Sequence, residues 1–116
     1  MHLIDSQTNE VLLDRVAIAA TPWQRFCGLM LRRQFEPGFA LWLDPCRSIH
    51  TMWMRVPIDV YFLDDEGTVL EHRRDVAPWS IVLPAGRARS VLEIPNAAIR
   101  LAVGSRVRLS DPNLYT

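Results

Sequence analysis

The side chains best suited to chemistry lie in one stretch of the chain, residues 48–64. On a pleated strand alternate side chains share a face, so His50, Met52 and Met54 are expected to face the same way. Imidazole and thioether ligands suit Cu(I). Methionines that fill a core beside a hydrogen-bonded histidine give the same pattern, and we predict this second arrangement, with no bound metal and no cofactor.

Asp59 lies in the same stretch, inside the apolar run Ile58 to Leu63. An unpaired buried carboxylate is costly in free energy, so Asp59 is expected to have a cationic partner. Our candidate is Arg25, whose guanidinium could form a bidentate pair with it and join a helix to a sheet. We predict a ligand-binding cleft beside this pair, lined by Arg25, His50, Trp53 and Asp59, and we assign no catalytic residue.

Nucleophilic chemistry has weaker support in the sequence. Cys46 follows Asp44-Pro45 on a predicted loop, close to Arg47 and His50, and such neighbours lower a thiol pKa. No Gly-x-Ser-x-Gly elbow is present. A closed zinc site is not favoured either, because the chain has two cysteines and no Cys-x-x-Cys pair. A small hydrolase or transferase that uses Cys46 or His50 is therefore the alternative, and a non-enzymatic protein is the main hypothesis.

The charges argue against a protein made to bind nucleic acid or membranes. Thirteen basic and thirteen acidic residues cancel, so the domain has no long-range attraction for polyanions. A nucleic-acid accessory domain is kept as a third hypothesis, in which Trp79 stacks on a base. Its phosphate contacts would come from arginine pairs, namely Arg32/Arg33, Arg73/Arg74, Arg87/Arg89 and Arg106/Arg108.

The start of the chain has no basic region followed by an apolar run, as a secretory signal would. No apolar stretch is long enough to span a bilayer. We therefore expect a soluble cytoplasmic protein without membrane contact. In that compartment Cys27 and Cys46 are expected to be reduced thiols.

One helix is predicted near the N-terminus. Thr21 can cap it, Pro22 suits the first helical position and Gln24 completes a capping box. Apolar residues then recur at three- and four-residue spacing, and the helix is expected to end at 31–33, with Gly28 inside it.

The rest of the chain reads as short strands separated by single prolines and glycines. Asn96 can cap a short helical turn that runs to Leu101 and closes at Gly104. The chain is long enough for one core, so we predict a single α+β domain over 1–116, rich in antiparallel strands. We expect a sandwich or partly closed barrel, with the N-terminal helix plugging one side. Predicted strands are 11–19 (bent at Asp14-Arg15), 39–43, 49–54, 58–63, 68–73, 89–94 and 106–109.

Two segments resemble one known family. Residues 25–32, Arg-Phe-Cys-Gly-Leu-Met-Leu-Arg, are similar to its Arg-x-x-Gly-Leu-Met-x-Arg signature. Residues 54–64 are similar to a second signature, in which a methionine and a basic residue precede Ile/Leu-Asp-x-x-Phe. The family is the one called domain of unknown function 192. The resemblance covers about 11–110 and implies a compact β-rich fold with one short helix, but no activity.

These observations predict an uncharacterised, non-enzymatic binding module. Its partner is expected to be a small molecule or a protein segment that contacts the cleft beside His50, Trp53 and Asp59.

Overall fold

The structure is a computed structural model that describes residues 1–30, 34–46, 48–83, 86–95 and 99–113. Within these ranges the chain forms a short helix and a series of short strands. The elements are β1 (His2–Asp5), β2 (Val11–Leu13), β3 (Arg15–Ala19), α1 (Pro22–Cys27), β4 (Phe39–Leu43), β5 (Ile49–His50), β6 (Ile58–Leu63), β7 (Val69–Val76), β8 (Ile81–Val82), β9 (Ser90–Ile94) and β10 (Val107–Ser110).

The largest sheet has five strands in the order β3-β4-β9-β6-β7. β3 is parallel to β4, and the other neighbours are antiparallel. A parallel pair needs a crossover connection of about a dozen residues or more, and residues 20–38, which include α1, provide it. Two smaller sheets, β10-β1-β2 and β5-β8, complete the described strands. The prediction of one compact β-rich domain is confirmed; among the described strands no sheet closes into a barrel.

The central strands of the large sheet are buried on both faces, since every residue of β6 and β9 is buried. Successive side chains of a strand point to opposite faces. Tyr61 and Leu63 therefore enter one hydrophobic cluster, together with Leu3 of β1. Val60 and Phe62 enter a second cluster on the other face. Double burial explains why the sequence of β6 is nearly continuously apolar instead of alternating.

Helix α1 begins as predicted and ends earlier than predicted. Thr21 Oγ1 accepts the backbone N–H of Gln24 at 3.1 Å, and the Gln24 side chain accepts the backbone N–H of Thr21 at 3.2 Å. The helix ends at Cys27, because Gly28 takes φ 48° and turns the chain away. Residues 31–33, where the end was expected, lie outside the described ranges. No residue of α1 is buried, and the prediction that it plugs one side of the domain is not confirmed.

The strand predicted at 49–54 is also shorter than expected. β5 ends at His50, and residues 52–53 form a turn in which Trp53 has φ 64°. Met52 is exposed on this turn whereas Met54 is buried in the second cluster. His50, Met52 and Met54 therefore do not share a face, and the soft-metal arrangement weighed above is not formed.

The remaining elements follow the predicted pattern with small shifts. The strand predicted at 11–19 divides at Asp14, where β2 ends and β3 begins one residue later. The predicted turn at 64–67 is present, and the amide of Gly67 bonds to the Asp64 carbonyl at 3.2 Å. The predicted helical turn from Asn96 falls partly on residues 96–98, outside the described ranges, and residues 99–101 are not helical. β1 was not predicted.

Candidate functional site

A cavity of about 320 Å³ lies on the side of the large sheet that carries the second cluster. Five segments form it: the end of α1 with the residues after it, the loop between β4 and β5, β5 itself, the turn after β5, and the middle of β9. Its lining comprises Arg25, Phe26, Cys27, Gly28, Leu29, Met30, Pro45, Cys46, Ser48, Ile49, His50, Met54 and Glu93.

Glu93 is the most unusual group in this cavity. On β9 it lies two residues after Val91, so both point to the same face of the sheet. It is 3% exposed, and no described residue forms a hydrogen bond to its carboxyl group. Burial raises the pKa of Glu93 from 4.5 to about 8. The carboxyl group is therefore mainly protonated at neutral pH.

Gly28 leaves space beside that carboxyl group. A Cβ atom at this position would lie 3.5 Å from Glu93 Oε1 and 3.8 Å from Oε2. The backbone after α1 therefore approaches both carboxyl oxygens, and the positive φ of 48° favours glycine there. The same residue ends the helix and forms the cavity wall opposite Glu93.

Cys46 lines the cavity as a thiol. Its Sγ–H donates to the Ser48 carbonyl at 3.1 Å. Burial is the largest cause that raises the Cys46 pKa from 9.0; the backbone at Ser48 lowers it, Glu93 raises it and Arg25 lowers it. The sequence suggested a lowered pKa, through Arg47 and His50, and the shift has the opposite direction because desolvation is the largest effect.

The predicted ion pair between Arg25 and Asp59 is not formed. Arg25 Nη1 donates to the carbonyl of Ala20, while Asp59 Oδ1 accepts the backbone N–H of Asp75 at 2.7 Å. Asp59 alternates with Val60 along β6, so it points to the face of Tyr61, away from the cavity. A backbone donor, not a guanidinium, satisfies the carboxylate.

His50 lines the cavity as predicted, and its contacts are to the backbone. Nε2 lies 2.9 Å from the Phe26 carbonyl, which only accepts hydrogen bonds, so Nε2 carries the hydrogen. Nδ1 is buried and has no hydrogen-bond partner among the described residues. The Phe26 ring lies 5.0 Å from the imidazole, centroid to centroid. His50 therefore attaches β5 to the end of α1, and no described hydrogen bond joins it to Cys46.

Trp53 is not part of the cavity lining. It forms a tilted pair with Trp79, with ring centroids 4.8 Å apart. Both have φ 64°, and they are 54% and 59% exposed. Of the four residues predicted to form the cleft, Arg25 and His50 line the cavity, and their contact with a ligand stays a prediction.

Buried Thr51 holds the two tryptophan turns together. Its hydroxyl donates to the Ala77 carbonyl at 2.7 Å and accepts the Ser80 N–H at 2.7 Å. Its carbonyl accepts the Trp79 N–H at 2.9 Å.

We expect Thr51→Val to lower the free energy of unfolding by about 1 to 2 kcal/mol, because the Ser80 N–H loses its acceptor. The Ser80 amide hydrogen should then exchange faster with solvent. Urea denaturation and hydrogen exchange measure the two effects. Thr51→Ser keeps the hydroxyl group and is the control; unchanged Ser80 protection in Thr51→Val would refute this role of Thr51.

We expect iodoacetamide to alkylate Cys46 at pH 7.5 at least about tenfold more slowly than it alkylates glutathione, since only the thiolate reacts. The Cys27→Ser variant leaves Cys46 as the single thiol, and mass spectrometry follows the rate. Alkylation as fast as that of glutathione would identify an activated thiol and favour the hydrolase or transferase alternative.

No three His, Cys, Asp or Glu side chains of the described ranges come together in a way that could hold a metal ion. The three groups of this kind in the cavity wall are Cys46, His50 and Glu93. The cavity is therefore characterised by hydrogen-bonding groups on an apolar background.

The chain is similar to known proteins in both sequence and fold. The sequence matches the family of domain of unknown function 192, described as Uncharacterized ACR, over residues 3–109. The chain belongs to this family. The resemblance inferred from the two signatures covers about 11–110. The family match begins earlier, at residue 3, and therefore includes most of β1.

Curated relatives carry the family description UPF0127. One from Thermococcus sibiricus is 35% identical over 101 residues, which are 84% of this chain and 65% of that protein. One from Pyrococcus abyssi is 35% identical over 117 residues, covering 92% of this chain and 97% of the relative. The chain thus spans less than two thirds of the first relative and nearly all of the second.

Solved structures share the fold. A protein of Sinorhizobium meliloti 1021, described as a candidate transcription regulator, superposes with a TM-score of 0.77 at 25% identity, covering 92% of this chain and 89% of its own. A protein of unknown function from Novosphingobium aromaticivorans superposes with a TM-score of 0.75 at 19% identity, covering 93% and 82%. No described helix of this family member is long and apolar enough to span a membrane.

Sequence reasoning missed Glu93 as a site residue, although a signal for it exists. The segment Val91-Leu92-Glu93-Ile94 places a carboxylate at the centre of an apolar strand, the same kind of signal that drew attention to Asp59. Cys46 was considered only as a nucleophile, and Gly28 only as a helix residue.

Proposed function

We propose that this protein is a non-enzymatic module that binds a small molecule in the cavity beside Glu93. The observation that carries the proposal is the Glu93 carboxyl group, 3% exposed and without a hydrogen bond from any described residue. A ligand that bonds to the carboxyl group would meet a donor and an acceptor that no described residue satisfies, which makes the cavity a favourable place to bind.

Two features favour binding over catalysis. A nucleophilic cysteine needs a low pKa and a nearby base, whereas burial raises the Cys46 pKa. His50 donates from Nε2 to the Phe26 backbone, so Nδ1 carries the free lone pair, and no described hydrogen bond joins it to the Cys46 thiol, which bonds to Ser48. The hydrolase or transferase alternative would require His50 Nδ1 and the Cys46 thiol to come within hydrogen-bonding reach.

A second candidate, binding of a protein segment, is favoured by exposed aromatic side chains. Trp23 is 72% exposed and stacks on Phe26 at 6.0 Å, at the edge of the cavity. Trp53 and Trp79 form a second exposed pair. Aromatic residues are enriched at the centres of protein interfaces. The two candidate functions predict different effects of substitutions. Substitution of Glu93 should abolish small-molecule binding, while substitution of Trp53 or Trp79 should abolish binding of a protein segment.

Nucleic-acid binding has less support, although one relative is described as a candidate transcription regulator. Several arginines of the predicted pairs already have acidic partners. Arg73 pairs with Glu71 at 2.8 Å, Arg89 with Asp44 at 3.1 Å, and Arg106 with Glu66 at 2.9 Å. Together with the balance of charges, these pairs leave little free positive charge for phosphates. We also propose a cytoplasmic location, which the free thiols of Cys27 and Cys46 support.

A fragment screen on the ¹⁵N-labelled protein tests the proposal. We expect binding fragments to shift the amide signals of Gly28, Cys46 and Glu93, and to slow alkylation of Cys46 in the Cys27→Ser variant. Trp53→Ala is the control, since it should leave cavity binding intact. A screen in which no fragment shifts these signals or protects Cys46 would overturn the proposed function.

A further inference from the structure

We infer, on the basis of the proposed function, that the cavity takes a neutral ligand with an N–H beside a C=O, as in a lactam or other cis-amide. The inference follows from the Glu93 carboxyl group, which lies in the cavity wall and has no hydrogen bond from any described residue.

The protonated Glu93 carboxyl group presents two hydrogen-bonding groups to a ligand. A protonated carboxyl group has an O–H donor and a C=O acceptor side by side. A cis-amide has the complementary pair, so the two can form a ring of two hydrogen bonds. Both oxygens of Glu93 lie next to the position that a Cβ of Gly28 would occupy, at 3.5 and 3.8 Å. The missing side chain at Gly28 therefore leaves both oxygens uncovered on that side.

The groups around Glu93 disfavour a cationic ligand. Arg25, Cys46 and His50 line the cavity around Glu93, while the cross-strand neighbours of Glu93, Leu41 and Val60, are apolar. The cationic group in this set, Arg25, bonds to the Ala20 carbonyl, with no described carboxylate partner. A cationic ligand would lose its hydration shell and would meet, among the described lining residues, one carboxyl group, the protonated Glu93.

The protonated state of Glu93 disfavours an anionic ligand. With a pKa of about 8, the carboxyl group is mainly protonated at neutral pH and offers a single O–H donor. A buried anion needs several donors to replace its water, and the Glu93 carboxyl group supplies one. A neutral ligand avoids both costs.

The size and walls of the cavity limit the size and shape of the ligand. About 320 Å³ is at the low end for small-molecule pockets, which limits the buried part of the ligand to a small ring. Leu29, Ile49 and Met54 give the walls apolar surface. A small planar ring with one polar edge matches this combination.

Three probes with the same ring test the inference. 2-Pyrrolidinone has the N–H and the C=O, N-methyl-2-pyrrolidinone lacks the N–H, and pyrrolidine is a cation. Binding is followed by the methyl signal of Met54 in protein labelled at its methionine methyl groups; exposed Met52 is the internal control. We expect 2-pyrrolidinone to shift the Met54 signal and to bind at least about tenfold more tightly than N-methyl-2-pyrrolidinone, which loses one hydrogen bond to a buried group.

Two variants examine the role of Glu93. Glu93→Gln keeps a donor beside an acceptor and should retain binding; Glu93→Leu has neither and should lose it. Between pH 6.5 and 9.5 the affinity of the wild-type protein should fall roughly 30-fold as Glu93 ionises. Glu93→Gln should show no such fall.

The outcomes separate the ligand class from the proposed function. If pyrrolidine binds and 2-pyrrolidinone does not, or if affinity rises with pH, the inferred class is overturned while small-molecule binding stands. If 2-pyrrolidinone binds equally to wild type and Glu93→Leu, Glu93 does not select the ligand and the inference fails. If the fragment screen described above also finds no ligand, the proposed function fails as well.

Discussion

Raising the pH from 4.5 to 8 should lower the free energy of unfolding of the wild-type protein by roughly 4 to 5 kcal/mol through Glu93 alone. Glu93→Gln, which has no ionisable group at this position, should lack this component. The effect is large because Glu93 is buried and no described cation or hydrogen-bond donor pairs with its carboxyl group.

The direction follows from proton binding in the two states. Below pH 4.5 the carboxyl group is protonated in both the folded and the unfolded protein. Between 4.5 and about 8 the folded state keeps the proton while the unfolded state releases it. The folded state then binds one more proton, so stability falls by about 1.4 kcal/mol for each pH unit. Above the folded-state pKa, Glu93 is ionised in both states and this loss is complete.

Urea denaturation at pH 5, 6, 7 and 8, for wild type and Glu93→Gln, measures the effect as the difference between the two stability curves. Glu10→Gln, a substitution of an exposed glutamate, is the matched control and should follow the wild-type curve. Parallel curves for wild type and Glu93→Gln would show that Glu93 has an ordinary pKa, and the argument for a neutral ligand would then fail.

The same property connects stability with the proposed site. A protein selected only for stability would be better served by an apolar side chain at position 93, because ionisation of the buried acid destabilises the fold at neutral and higher pH. Binding sites often retain such locally unfavourable groups. Glu93→Leu should therefore be more stable than wild type at pH 8 while being unable to bind 2-pyrrolidinone, and denaturation at that pH gives this comparison.

Local signals in the sequence predict much of the fold. β4 and β6 have the predicted bounds, because the turn residues on both sides of a short apolar run show where the strand begins and ends. The capping box at Thr21 likewise depends on residues within one helical turn. The length of α1 was not predicted, since the apolar spacing continues beyond Gly28. The backbone conformation of Gly28 ends the helix there.

The site was predicted only in part, because it depends on which face of a strand meets which neighbour. The sequence shows that Asp59 and Glu93 are each carboxylates within apolar strands, and alternation shows which residues share a face with each. It does not show on which face the end of α1 lies. Asp59 was selected as the partner of Arg25, whereas Glu93 is the carboxylate on the face that carries the cavity.

Tryptophan placement failed for a related reason. Trp23, Trp53 and Trp79 are exposed and Trp42 is buried, whereas Trp53 was predicted to line the cleft. Trp53 and Trp79 lie at turn positions with positive φ. Thr51, 26 residues from Ala77 in sequence, holds those turns in place. Such long-range hydrogen bonds leave no periodic pattern in the sequence.

The second large effect concerns Gly67, at the turn between β6 and β7. We expect Gly67→Ala to lower the free energy of unfolding by about 2 to 5 kcal/mol. Gly67 has φ 81°, and a Cβ there would lie 2.1 Å from the Val107 carbonyl oxygen. The left-handed conformation costs an L-residue about 1 to 2 kcal/mol, and steric overlap adds about 1 to 3 kcal/mol.

Gly104→Ala separates these two contributions. Gly104 has φ 91°, and a Cβ there would meet no atom within 4 Å, so this variant carries the conformational cost without the overlap. Urea denaturation should place its loss at about 1 to 2 kcal/mol. In Gly67→Ala the backbone of β10 must also move, because the Val107 N–H donates to the Gly67 carbonyl at 3.0 Å, and faster exchange of the Val107 amide hydrogen should report it. Equal losses in the two variants would mean that the turn shifts freely away from β10, and that the register between Thr68 and Arg106 does not hold it in place.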